Sequence, residues 1–259
     1  MPILSGKVAI ITGASSGIGA ATAEHFATLG AFLALSGRNP ENLEETRKKC
    51  LTAGLAEDKV ITIKCNVVKR EELEKLVSET LRHFGKLDIL VNSAGISYNG
   101  GVTTGTMEGY DKVMNVNIRS IIELCQLAIP HLIRSSGSIV NVSSIVGPCA
   151  FPDITFYCIS KAATDQLTKC LALELAPHKV RVNAVNPGVI VTELHQRAGM
   201  SGNDYVQFLE RCKSTHALGR VGEAIEVAKA IAFLASDDAS FTTGELFRID
   251  GGWGITTPR

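Results

Sequence analysis

Tyr157 and Lys161 stand four residues apart, and Ser144 stands thirteen before the tyrosine. In a helix, residues i and i+4 share a face, so this spacing sets a phenol beside an ammonium. A strand ending near Ser144 can bring a hydroxyl to the same point. A phenol ordinarily holds its proton to a pH of about 10, which makes it a poor base at neutrality. A neighbouring cation favours the phenolate, and lowering the pKa by about three units needs roughly 4 kcal/mol of differential stabilisation. A group tuned in this way exchanges a proton with a carbonyl or alcohol oxygen.

Those side chains need rigid elements behind them. Short apolar, β-branched runs predict strands over 7–12, 32–36, 59–64, 87–92, 138–143, 180–186 and 246–249. Longer amphipathic stretches predict helices over 17–29, 40–53, 70–84, 107–134, 155–176 and 223–236. Pro40 suits a first helical turn, whereas Pro130 falls inside a helix and should perturb it. Runs such as Val8-Ala9-Ile10-Ile11 and Ile89-Leu90-Val91 are apolar at every position. They read as strands buried on both faces, hence a parallel sheet. Strict β/α alternation predicts an α/β, three-layer, doubly wound Rossmann fold with a seven-stranded parallel sheet. With no linker, repeat or low-complexity tract, residues 1–259 read as a single domain. Residues 192–220 carry polar, Gly and Met content without a strand pattern and read as a substrate lid.

Between the first strand and first helix lies Thr12-Gly13-Ala14-Ser15-Ser16-Gly17-Ile18-Gly19. Gly13 would permit a tight turn, Gly17 a close approach of backbone to a pyrophosphate, and Gly19 tight packing of helix on strand. The helix start would then offer unpaired N–H groups to the phosphates. At the end of the second strand a site for NAD carries an acid that binds the ribose. Here that stretch is Leu35-Ser36-Gly37-Arg38-Asn39: glycine where the acid would stand, then a guanidinium. Nothing there repels a 2′-phosphate, and Arg38 can bind one through paired donors. NADP(H) is therefore expected over NAD(H), with Asn39 beside it.

Composition excludes several classes. Lys and Arg number 26 and Asp and Glu 26, without a basic block, so neither nucleic acid nor an anionic membrane is indicated. No uninterrupted apolar run nears the ~18 residues of a membrane span. The start, Met1-Pro2-Ile3-Leu4-Ser5-Gly6-Lys7, lacks the pattern of a secretory signal. Cys50, Cys65, Cys125, Cys149, Cys158, Cys170 and Cys212 are odd in number, scattered and without C-x-x-C. That argues against a disulfide framework and against a metal site, and favours reduced thiols in a cytoplasmic setting. Cys149 near Ser144, and Cys158 beside Tyr157, raise a possible thiol sensitivity.

Taken in order, these motifs resemble the short-chain dehydrogenase/reductase superfamily in its single-domain form, similar to its 3-oxoacyl-ACP reductase-like and carbonyl reductase-like members. The resemblance spans essentially the whole chain. It rests on the 12–19 loop, Asn92-Ser93-Ala94-Gly95, Asn117, Ser144, Tyr157, Lys161, Asn186-Pro187-Gly188 with Thr192, and Asp250-Gly251-Gly252. It implies that Tyr157 is the general acid in reduction and the base in oxidation, and that Ser144 orients the substrate oxygen. It further implies that Lys161 holds the nicotinamide ribose and lowers the Tyr157 pKa. Asn117 would anchor a water continuing the proton path. Ile190 and Thr192 would orient the carboxamide, and Asn92, Ala94 and Gly95 would lie along the adenine-side ribose and central sheet. Two departures stand out. Ser93 replaces the second Asn of the family's Asn-Asn-Ala-Gly, and Asn66-Val67 follows Cys65 where an Asp commonly meets the adenine. Asn66 retains an acceptor oxygen for that contact.

Ser97, Tyr98, residues 145–154 and the lid from Leu194 to Phe208 would wall a pocket for a medium-sized, partly apolar carbonyl compound or alcohol. The expected reaction is NADP(H)-dependent interconversion of a ketone or aldehyde with an alcohol. The alternatives are an NAD-dependent alcohol or hydroxysteroid dehydrogenase, and a non-catalytic cofactor-binding regulatory protein. The resemblance also implies a homo-oligomer, tetramer or dimer, built from the 107–134 and 155–176 helices.

Overall fold

The computed structural model describes residues 3–256. Met1 and Pro2 of the signal reading, and the two ends of the 1–259 domain expectation, lie outside the described residues. Seven parallel strands form one sheet in the order β3-β2-β1-β4-β5-β6-β7. They are β1 Val8–Thr12, β2 Phe32–Gly37, β3 Val60–Lys64, β4 Ile89–Asn92, β5 Ser138–Val142, β6 Arg181–Pro187 and β7 Leu246–Ile249. Each falls within two residues of its sequence-derived range at either end. The order reverses between β1 and β4, and a doubly wound sheet opens its ligand crevice beyond the strand ends at such a place.

The pleat sorts alternate side chains into two cores. Ala9, Ile11, Leu33, Leu35, Ile89, Val91 and Val140 face one layer with Phe26, Leu43 and Ile231. That layer is made by α1 Gly17–Thr28 and α2 Pro40–Thr52, with the later helix Ala224–Ala235 packed along α1. Ile10, Ala34, Leu90, Ile139 and Val182 face the other layer with Leu73, Leu124 and Leu171. There lie α3 Arg70–Phe84, α4 Met107–Met114, α5 Ser120–Ser135 and α6 Thr155–Leu175. The runs Val8–Ile11 and Ile89–Val91 in the central strands β1 and β4 are apolar at every position because both faces are covered, as the sequence suggested.

Two features depart from the sequence reading. The 107–134 helix is interrupted by a π-turn over Asn115–Arg119, and α5 runs on through Pro130 to Ser135. By length and composition this 29-residue run could cross a membrane, despite lacking an uninterrupted apolar stretch. In this fold, however, its Ile121, Leu124, Ala128 and Leu132 form part of the second core. The 192–220 segment, expected only as a lid, carries α7 Leu194–Arg197 and α8 Gly202–Lys213. Ser201 caps α8 by accepting from the Asp204 N–H, and Tyr205, Phe208 and Cys212 recur at helical spacing. The last helix, Ala224–Ala235, is α9 and opens on a Glu223/Glu226 capping box.

Candidate active site

The carboxyl ends of β1 to β6 converge on a cleft of about 500 Å³. At one end the 13–19 loop turns under the sheet edge. Gly13 has φ +67° and Gly17 φ +53°, values that only glycine adopts without strain. A Cβ on Gly13 would lie 2.9 Å from the Ala94 backbone, and one on Gly19 would collide with the Gly13 carbonyl. The loop is therefore packed against the 93–94 turn, which the Thr12 hydroxyl ties down by accepting from both Ser93 and Ala94 N–H at 3.1 Å. Ser15, Ser16, Gly17, Ile18 and Gly19 line the cleft as the first turn of α1 begins.

Gly37 and Arg38 form the rim next to this loop. A side chain on Gly37 would press on Ser15 at 3.1 Å and on Leu43 at 3.3 Å, so an acid there would crowd the loop. Arg38 is exposed and joins no ion pair among the described residues. Asn66 and Val67 continue the wall, and the only carboxylate among the lining residues is Glu193, in the lid. Asn39 does not reach the cleft: its side chain caps α2, accepting from Asn42 N–H at 2.9 Å. Asn92 also turns away, donating to Asn141 Oδ1 at 2.8 Å beneath the sheet surface. Both were expected among the cofactor-binding residues; their side chains are used by local capping and strand pairing.

At the other end stand Ser144, Tyr157 and Lys161, all lining the cleft and nearly buried. Ser144 follows β5 and accepts from Val146 N–H at 3.3 Å. Lys161 Nζ donates to the Val142 carbonyl at 2.8 Å and lies 5.6 Å from the Tyr157 ring centroid. Gly95 packs alongside, its Cβ position 3.7 Å from Lys161 Nζ and 3.5 Å from Asn117 Oδ1, ordinary contact distances. Pro187, Gly188, Ile190 and Thr192 complete the wall after β6. The 192–220 segment is tied to it by Tyr205, whose hydroxyl donates to the Thr192 carbonyl at 2.9 Å.

Asn117 sits in the π-turn, fully buried. Its Oδ1 accepts from Ile96 N–H at 2.9 Å, and its Nδ2 donates to the Ile96 carbonyl and to Ser160 Oγ at 3.0 Å. The side chain is committed to protein partners and braces the 95–97 loop.

In the cofactor-free cleft the electrostatics are dominated by burial. Burial pushes the Tyr157 phenol up to about 12, with the Ser144 hydroxyl opposing the rise. Burial likewise brings the Lys161 ammonium down to about 8, with Asp165 opposing. Lys161 does not pull the tyrosine below its ordinary value, because its Nζ is turned onto the Val142 carbonyl and both groups are desolvated. At neutral pH the chain's own groups thus present a protonated phenol and a cationic amine. Burial raises the Cys158 thiol as well, which leaves it a poor nucleophile.

A glycine loop open only to backbone, an acid-free rim and a hydroxyl–phenol–amine set at the far end define a dinucleotide oxidoreductase site. A sequence profile described as "Enoyl-(Acyl carrier protein) reductase" matches residues 13–254, and the chain belongs to the short-chain dehydrogenase/reductase family. It is 40% identical over 250 residues to the 3-oxoacyl-(acyl-carrier-protein) reductase FabG of Thermotoga maritima, covering 96% of this chain and 98% of that one. To the dehydrogenase/reductase SDR family member 2 of Homo sapiens it is 38% identical, over 96% of this chain and 87% of that one. It is 36% identical to the NAD-dependent glycerol dehydrogenase of Listeria innocua, over 97% of this chain and 95% of that one. Among solved structures, a short-chain dehydrogenase/reductase of unknown function from Caenorhabditis elegans, crystallised with cofactor, superposes with a TM-score of 0.95. The two are 38% identical over 99% of this chain and 98% of that one.

Proposed function

We propose that the chain is an NADP(H)-dependent oxidoreductase of the carbonyl reductase type, interconverting a ketone or aldehyde with an alcohol. The observation that carries this reading is one cleft joining an acid-free, Arg38-bearing rim to Ser144, Tyr157 and Lys161. The residues suit the cofactor: the 13–19 loop for the pyrophosphate, Arg38 for a 2′-phosphate, and Asn66 and Val67 for the adenine. Ala94 and Gly95 would lie along its middle, Lys161 would meet the ribose, and Pro187, Gly188, Ile190 and Thr192 would flank the nicotinamide. When bound, the nicotinamide supplies or accepts the hydride.

The protein's part is orientation and proton transfer. Ser144 Oγ donates a hydrogen bond to the substrate oxygen and fixes it beside Tyr157. The Tyr157 hydroxyl then delivers its proton to that oxygen as it gains charge. Lys161, cationic at neutral pH, stabilises the negative charge left on the phenol. Oxidation of an alcohol runs the same proton in reverse.

NADPH consumption against ketones, diketones, quinones and β-ketoacyl thioesters tests the reaction and sorts the substrates. Titration with both cofactors tests the preference. Arg38→Ala weakens NADPH binding about 10–100-fold through loss of charge-assisted bonds and leaves NADH binding unchanged. Tighter binding of NADH than NADPH by the wild type would replace this preference with the NAD-linked dehydrogenase reading, in line with the glycerol dehydrogenase relative.

The proposed homo-oligomer draws support from exposed Ile122 on α5 and from exposed Ile159 and Leu173 on α6. A monomeric mass by light scattering at micromolar concentration removes it. The cytoplasmic setting is proposed on the seven free thiols, and detection of the chain only in a membrane or secreted fraction would oppose it.

A further inference from the structure

We infer that Asp165 and Asn186 form a buried positioning pair behind the Ser144–Tyr157–Lys161 set, clamping the Ser144 main chain and supplying the negative charge that faces Lys161. The inference rests on the proposed reaction, whose proton donor and cation it serves. Asp165 lies one helical turn beyond Lys161 on α6, on the same face, and is only 5% exposed. Asn186, on β6, is fully buried. Its Nδ2 donates to the Ser144 carbonyl at 2.9 Å and to the Asp165 carboxylate at 3.0 and 3.2 Å.

The amide's orientation is informative. Its Oδ1 is buried without a partner, a position that costs free energy. Turning the amide over would set that oxygen against the Ser144 carbonyl and the carboxylate, acceptor against acceptor. The observed orientation is the one an ionised Asp165 demands, and it holds Ser144 through its backbone. Gly147 seals the arrangement, for a Cβ there would run into Asp165 Oδ2. Ser143 adds a further tie, its hydroxyl donating to the Lys161 carbonyl at 3.2 Å.

The groups facing Lys161 and Asp165 are few. α6 itself brings Tyr157, Cys158 and Lys169; the strand ends bring Ser143, Ser144 and Asn186; Gly95 and Asn117 close the other side. Asp165 is the carboxylate that acts on Lys161 and keeps its ammonium from falling further. Burial lifts Asp165 itself, while Ser143, Asn186, Lys161 and Lys169 hold it down.

Asp165→Asn keeps the volume and an acceptor for Asn186 but removes the charge. In the reductive direction, the basic limb of its kcat profile moves about one pH unit lower, so kcat drops about fivefold at pH 8 and hardly changes at pH 6. The KM for the carbonyl stays within about twofold, since the pair does not touch substrate. In cofactor-free protein, the pH above which folding stability starts to rise moves down in parallel, a readout that needs no turnover. Should the amide variant not fold, Asp165→Ser provides the same comparison in a smaller side chain. A kcat profile and a stability curve that both superimpose on wild type overturn the inference. A stability shift in a wild-type background that reduces no carbonyl sinks the reaction reading and leaves the pair standing.

Discussion

Replacing Tyr157 with Phe lowers kcat for carbonyl reduction by about 10²–10⁴-fold, the contribution of one well-placed general acid, and leaves KM nearly unchanged. The phenol is buried and held up to about 12, so at pH 7 it carries its proton in essentially every molecule. That suits a donor: the proton is present when the substrate oxygen needs it. It also predicts direction, because oxidation needs the phenolate, and its rate climbs with pH where reduction does not. Phe fills the same space, so the variant folds and binds cofactor as before. Steady-state NADPH consumption with the best ketone decides the matter, and a variant within about threefold of wild type removes Tyr157 from the mechanism.

Lys161→Met abolishes detectable turnover yet makes the cofactor-free protein more stable at pH 7. The native value of about 8 lies below the ordinary 10.5, so the folded state pays for a buried ammonium. A gap of about 2.5 pKa units corresponds to roughly 3 kcal/mol of destabilisation at pH 7. Methionine removes that penalty but orphans the Val142 carbonyl, which costs about 1–2 kcal/mol. The net gain is about 1–2 kcal/mol. Between pH 8 and 10.5 the unfolded chain binds the lysine proton and the folded one does not, so wild-type stability rises with pH in that window. The variant's advantage shrinks accordingly and reverses between about pH 9 and 10, where the remaining penalty equals the Val142 cost. Tyr157 acts oppositely above pH 10, losing stability as the unfolded phenol ionises first, but it is common to both proteins. Urea titrations at several pH values measure the difference, and an advantage that stays constant from pH 7 to 10.5 contradicts the account.

The central strands were legible because Val8–Ile11 and Ile89–Val91 are apolar at consecutive positions, as strands covered on both faces are. The cleft was legible where a residue's role follows from its own backbone or charge: Gly13 and Gly19 in the loop, Gly37 and Arg38 at the rim. It was not legible where a side chain had a choice of partners. Asn39 is as good a helix cap as a ribose ligand, and Asn92 is as good a strand-to-strand bridge. Asn117 lies in a π-turn that hydropathy does not mark, and its partners Ile96 and Ser160 come from distant segments. The lid helix α8 did leave a trace, in Ser201, Asp204 and the Tyr205–Phe208–Cys212 spacing, masked by a polar surround. The direction of the Tyr157 shift depends on burial depth, which spacing alone does not report.

The lid and the proton-transfer set are anchored differently, and this bears on how such a chain changes over generations. Ser144, Tyr157 and Lys161 are fixed by strand ends, a long helix and buried partners, so nearly any change beneath them is felt. The 192–220 segment touches the facing 97–105 loop through a polar tie, Asn99 Nδ2 donating to the Ala198 carbonyl at 3.2 Å, and is held by the Tyr205 hydroxyl on Thr192 and, at its far end, by His216 accepting from Val189 N–H at 3.2 Å. Substitutions in Leu194, His195 or Arg197, which line the cleft, can therefore alter what fits without disturbing the residues beneath. The fold separates an inheritance that is hard to edit from a surface that is easy to edit, which leaves it open to new substrates with the same chemistry.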